Sequence, residues 1–85
     1  MKVIRLKPFL EDYKRLPVDI QKRLDKQLEF LIRDPRHSSL RRKKIRGTKD
    51  IWEVRVTREY RMTFCVRGDR IVLRRVGTHD ILRKP

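Results

Sequence analysis

The 85-residue sequence has one cysteine, Cys65, which excludes an internal disulfide framework. Its two histidines, His37 and His79, lie far apart, and no CxxC or HxxxH pair accompanies them. A structural zinc site is therefore not expected, nor is any cofactor. Long apolar runs are missing too. No stretch approaches membrane-span length, and the opening MKVIRLKPFL is too broken by charge for a signal peptide. Glycine and proline are few, at three and four residues, and no repeat, low-complexity tract or linker interrupts the chain. The expectation is one soluble, cytoplasmic domain over residues 1–85. A chain of this size buries only about 60–65% of its unfolded surface, so its core is thin.

Acidic side chains are scarce as well: 11 Asp and Glu stand against 25 Lys and Arg, a formal charge of +14. Such a field repels itself in the folded state and attracts anionic partners. Nucleic acid comes first among them, because each phosphate contact releases condensed counterions. An acidic protein comes second and an anionic membrane surface a distant third. The excess is uneven. Residues 1–35 carry nine basic and six acidic groups, whereas residues 36–85 carry sixteen and five. The polyanion surface belongs to the second part, where arginine outnumbers lysine and favours forked contacts to phosphate.

What is present divides into helix and strand by period. Met1 to Leu6 reads as a short strand. Pro8 suits the first turn of a helix that presents Phe9, Tyr13 and Leu16 on one side. Pro17 ends it, and Ile20, Leu24, Leu28 and Leu31 mark the apolar face of a second helix that closes at Asp34-Pro35. From His37 to Asp50 there is no periodicity, and the stretch reads as a loop. It holds Arg41, Arg42, Lys43, Lys44 and Arg46 around Ile45, five positive charges in six residues, which suits an anion-facing segment. Three strands follow. Trp52, Val54 and Val56 alternate with polar residues, as do Tyr60, Met62, Phe64 and Val66, and then Ile71 and Leu73. Gly68-Asp69 suits a two-residue hairpin turn.

Register follows from the pattern, because a slip by one residue turns the apolar set outward. A three-residue turn, Thr57 to Glu59, places Arg55 opposite Arg61. The second turn places Val66 opposite Ile71, Phe64 opposite Leu73, and Thr63 opposite Arg74. One face is apolar and awaits the helical hairpin. The other carries Arg55, Arg61, Thr63 and Arg74, with Cys65, Val72 and Val76 between them. Arg75 falls on the apolar face and must reach out at its rim. Like charges facing across strands destabilise a sheet. Arg55 beside Arg61 therefore points to a phosphate site, the competing account being a bridging carboxylate from Glu53. The fold class is α+β: an N-terminal strand and a helical hairpin packed on a bent antiparallel sheet.

With these features the chain resembles the RelE/ParE superfamily of bacterial and archaeal toxins. The resemblance rests on Lys44-Ile45-Arg46-Gly47 before the sheet and on Trp52-Glu53-Val54-Arg55-Val56 leading to Tyr60-Arg61-Met62. Arg75-Val76-Gly77-Thr78-His79-Asp80 after the last strand completes it. It implies a type II toxin bound by an acidic antitoxin. In the RelE branch it implies a metal-free endoribonuclease, an mRNA interferase that blocks translation on the ribosome. In the ParE branch it implies a non-enzymatic inhibitor of DNA gyrase. An inactive RNA-binding relative is the third possibility. Arg61 matches the strand arginine used on the scissile phosphate. His79 in Gly-Thr-His matches the catalytic histidine of YafQ-type members, and Lys44 and Arg46 match residues turned toward RNA. The ending Asp80-Ile81-Leu82-Arg83-Lys84-Pro85 lacks the aromatic that many RelE-like enzymes use for stacking.

The chemistry is compatible with this reading. Metal-free cleavage needs a base for the ribose 2′-OH, cations at the phosphate, and an acid for the departing 5′-oxygen. His79, a group whose ordinary pKa lies near neutrality, follows the strand that carries Arg74 and is the candidate base or acid. Arg61 and Arg55 would clamp the phosphate, with Arg74 beside them. Arg41, Arg42, Lys43, Lys44 and Arg46 would hold flanking RNA, messenger or ribosomal. Asp80 orients His79 or caps a helix. Trp52 and Tyr60 read as core rather than stacking platforms.

Overall fold

The computed structural model describes residues 2–85. Chain order is β1 (Lys2–Arg5), α1 (Lys7–Arg15), α2 (Val18–Arg33), β2 (Lys43–Lys44), β3 (Trp52–Arg55), β4 (Tyr60–Arg67) and β5 (Arg70–Thr78). Short 3-10 turns occupy Ser38–Leu40 and His79–Arg83. Pro8 lies in the first turn of α1, where its missing N–H costs nothing. Leu16 is extended and Pro17 precedes α2, so the two helices form a hairpin. α2 stops at Asp34 because the following Pro35 disfavours helical backbone before it. Across the hairpin, the Tyr13 hydroxyl donates to Asp25 at 3.0 Å.

The sheet runs β1-β5-β4-β3-β2. It is mixed rather than purely antiparallel, because β1 joins β5 in parallel, Lys2 beside Arg70 through Arg5 beside Leu73. The expected pairs Arg55–Arg61, Val66–Ile71 and Phe64–Leu73 are all present. Gly68 supplies the positive φ of the second turn. Helix and sheet faces meet in one core. Phe9, Leu16, Leu24, Leu28, Leu31 and Leu40 pack on Val54, Val56, Met62, Phe64, Ile71, Leu73 and Val76. Trp52 and Tyr60 pack against this core only partly buried.

One register expectation is corrected. Thr63 opposes Arg75, not Arg74, because the ladder shifts by a residue between Thr63 and Phe64. This bulge inverts the alternation beyond it. Val76, expected among the arginines, therefore lies opposite Met62 and is 2% exposed. Without the bulge Val76 would face outward and Arg75 inward. Instead the Arg75 side chain reaches α1, where its Nε and Nη2 donate to Asp12 at 2.7 and 3.2 Å. The same carboxylate accepts the Val76 N–H at 3.1 Å. Asp12 thereby serves the part of β5 that extends past the end of β1.

The stretch 37–50 is also more ordered than a loop. Ile45 is buried, and its N–H donates to the Ile51 carbonyl at 2.9 Å. That anchor lets Lys43 and Lys44 pair with Glu53 and Trp52 as the edge strand β2.

Candidate nucleic-acid interface

The second sheet face is not open along its length. The C-terminal turn folds back over it: Thr63 Oγ1 donates to the Pro85 carbonyl at 3.0 Å, and Arg74 Nε donates to the same oxygen at 3.2 Å. Arg75 Nη1 donates to the Lys84 carbonyl. Thr63 and Cys65 are accordingly buried, and Arg74 is engaged with the tail rather than set beside Arg61. The side chain of Ile81 sits so close to Gly77 that a Cβ there would lie 2.8 Å from it, which explains glycine in this β5 position.

At the far end of the sheet Arg55 and Arg61 face each other as expected, but they are in different electrostatic states. Arg61 is engaged within the protein through Nη1 and Nε. Its Nη1 donates to the carbonyls of Thr57, Arg58 and Tyr60 at 2.8–3.0 Å, and its Nε lies 3.6 Å from Glu53. Glu53 is 7% exposed, so a buried carboxylate does stand beside Arg61, but it reaches that arginine alone and does not bridge the pair. Arg55 has no such neighbour among the described residues. Burial, then the fields of Arg41, Arg61 and Arg58, hold its guanidinium below the ordinary arginine value. That is the signature of a positive cluster without a counterion.

Arg55 also lines a groove of about 600 Å³ between α2, the 37–39 segment and the end of β3. Its walls include Arg23, Lys26, Phe30, His37 and Arg58, and no carboxylate. Buried Gln27 of α2 forms the floor and joins the parts. Its Nε2 donates to the Arg55 carbonyl at 2.7 Å and to the Ser39 carbonyl at 3.1 Å. His37 stacks on Phe30 with ring centroids 4.0 Å apart. Its Nδ1 accepts the Ser39 N–H at 3.2 Å, so the neutral ring carries its proton on Nε2. The groove is concave, polar and positive.

The other expected residues distribute around this end. His79 is exposed and begins the turn after β5, two residues past Gly77, the partner of Arg61. No hydrogen bond joins it to Asp80 among the described residues. Arg41, Arg42, Lys43, Lys44 and Arg46 are all exposed and have no ion-pair partner among the described residues. Arg42 lies 5.1 Å over the Trp52 ring, a cation–π contact that fixes its plane. The sequence reading missed Arg23, Lys26, Gln27 and His37. The one available signal was Gln27, a polar residue within the Leu24–Leu28–Leu31 stripe. No cluster of three His, Cys, Asp or Glu suited to a metal ion occurs among the described residues. No helix there is long and apolar enough to cross a membrane.

A helical hairpin on a five-stranded mixed sheet is the architecture of the RelE-like toxins. The chain belongs to this superfamily: the family described as ParE toxin of type II toxin–antitoxin system, parDE, matches residues 3–82. It is the toxin of such a system. Among solved structures it is similar to the toxin of the RelB–RelE antitoxin–toxin complex from Methanococcus jannaschii. Identity is 28%, the match covers 94% of each chain, and the TM-score is 0.77. The YoeB/ParE toxin from Agrobacterium tumefaciens matches at 20% identity over 93% of this chain and 99% of that one, with a TM-score of 0.80. A chain of the E. coli DinJ–YafQ complex matches at 16% identity over 95% and 96%, with a TM-score of 0.76. Among curated protein sequences none matches.

Proposed function

We propose that this toxin is a metal-free endoribonuclease that cuts messenger RNA on the ribosome, in the cytoplasm, and is silenced by an acidic antitoxin. The observation that carries the reading is the carboxylate-free groove at Arg55, a site with unspent positive charge and room for a nucleotide. Arg55 grips the scissile phosphate, and Arg61 offers it Nη2, which makes no hydrogen bond to protein among the described residues. Both stabilise the charge that gathers on the phosphate as the 2′-oxygen attacks. His37 donates from Nε2 to a non-bridging oxygen. His79, free at the same sheet end, transfers the proton between the 2′-OH and the departing 5′-oxygen. The basic segment from Arg41 to Arg46 holds the flanking RNA, and Arg74 acts by holding the C-terminal turn.

The family match favours one other reading, a ParE-like inhibitor of DNA gyrase that cuts nothing. Purified protein is incubated with RNA, with and without programmed ribosomes, in EDTA, and growth arrest is scored in parallel. The nuclease reading expects products ending in 2′,3′-cyclic phosphate. It also expects rate losses of about 10²–10³ for Arg55→Ala and about 10²–10⁴ for His79→Ala. Growth arrest that persists in both variants while no RNA is cut overturns it in favour of gyrase.

A further inference from the structure

The basic surface does not end at His37. The same residue, with Pro35, Arg36, Ser38, Arg41 and Arg42, lines a second recess of about 240 Å³. This recess also has no carboxylate in its lining, and none of its three arginines has an ion-pair partner among the described residues. Two features hold it in shape. Arg41 adopts φ 44, a left-handed backbone that a non-glycine residue rarely accepts, and so turns the chain from the 38–40 turn into β2. Arg42 is pinned over Trp52, which leaves the edge of its guanidinium to meet an anion. Three guanidiniums kept together around so small a space repel one another unless an anion joins them.

We propose that this recess is a second phosphate subsite, which holds the phosphodiester adjacent to the one in the Arg55 groove, on a single RNA strand that passes around His37. The inference rests on the RNA reading above and adds to it a path and a minimum length. A single strand fits because the two basins meet at one side chain, His37, and a flexible backbone can bend around it to set successive phosphates in both. Arg36 becomes a contact for the neighbouring nucleotide, a role no motif in its surroundings suggests.

The probes are 2′-O-methyl RNA oligonucleotides, which cannot be cut: a dinucleotide and a decamer, with binding measured over a range of salt. Arg36→Ala is expected to weaken the decamer and to lower the slope of log affinity against log salt by about 0.7, the single-strand value for one lost phosphate contact. Dinucleotide binding keeps its slope. Arg36→Lys restores the decamer slope and reports that the charge, not the fold, was lost. Equal weakening on both lengths overturns the proposal, since Arg36 would then act only through the general field. An unchanged decamer slope overturns it as well. Because the readout is binding, a protein that fails to cut RNA defeats the nuclease reading and leaves this test standing.

Discussion

Gln27→Met tests whether the groove is assembled by the amide at its floor. Methionine keeps the length and the unbranched stem of glutamine, so the apolar packing of α2 survives. What goes are the Nε2 donations to the Arg55 carbonyl at 2.7 Å and the Ser39 carbonyl at 3.1 Å. The contact from Ser39 Oγ to Oε1, at 3.4 Å, is weak and adds little. Each neutral hydrogen bond is worth about 1 kcal/mol net, so the pair contributes about 2 kcal/mol. Water from the groove reaches the freed carbonyls and keeps the loss at that level rather than the full desolvation cost. For a domain of this size, Tm falls by roughly 8–16 °C. Far-UV circular dichroism during heating measures it, with Lys22→Met on the exposed side of α2 as the control. RNA affinity, measured well below the variant's Tm, should fall too, because Arg55 and the His37–Ser39 segment lose their common anchor. A Tm equal to that of the control refutes the structural role of the amide. A lowered Tm with unchanged RNA affinity refutes the link between that anchor and the site.

Arg61→Ala is expected to destabilise the fold by roughly 1–3 kcal/mol in urea denaturation, since it strands a buried carboxylate and frees three turn carbonyls. Adding Glu53→Gln should recover part of that loss, and a double variant no more stable than Arg61→Ala argues against the pairing. Tyr13 carries a pKa above the ordinary value, through burial first and then the hydrogen bond to Asp25. The folded state therefore keeps a proton that the unfolded chain releases, so stability is full below about pH 10 and declines as pH rises through the folded value. In Tyr13→Phe that component of the alkaline decline should vanish from denaturant midpoints, and an identical pH profile would contradict it.

The parts of the fold legible in the sequence are those fixed by local period. The Leu24–Leu28–Leu31 stripe, the alternation around Val54 and Phe64, and Gly68-Asp69 each carry their own geometry within a few residues. Together they placed Arg55 opposite Arg61. The bulge at Arg74 was not legible, because it depends on a partner 63 residues away. The Arg75 side chain finds its partner on α1, in Asp12. Parallel pairing of β1 is likewise a tertiary outcome, set by how the helical hairpin returns the chain to the edge of β5.

The site divides the same way. Charge composition pointed to the second half of the chain, where the cations from Arg41 to Arg46 are exposed. Composition could not rank Arg55 against Arg61, two residues of one type facing each other at 55 and 61. What ranks them is the position of the single buried acid on that face. Glu53 lies two residues along β3 from Arg55, on the same side, yet its carboxylate turns toward Arg61. One arginine thereby commits Nη1 and Nε to the 57–60 turn and Glu53, and the other is left unpaired and half-buried beside Arg58. The basic residues of α2 and His37 then converge on Arg55. Their sequence separation from it hides the groove from any reading of period. An unpaired cation, rather than a recurring motif, is the physical mark of where an anion belongs on this surface.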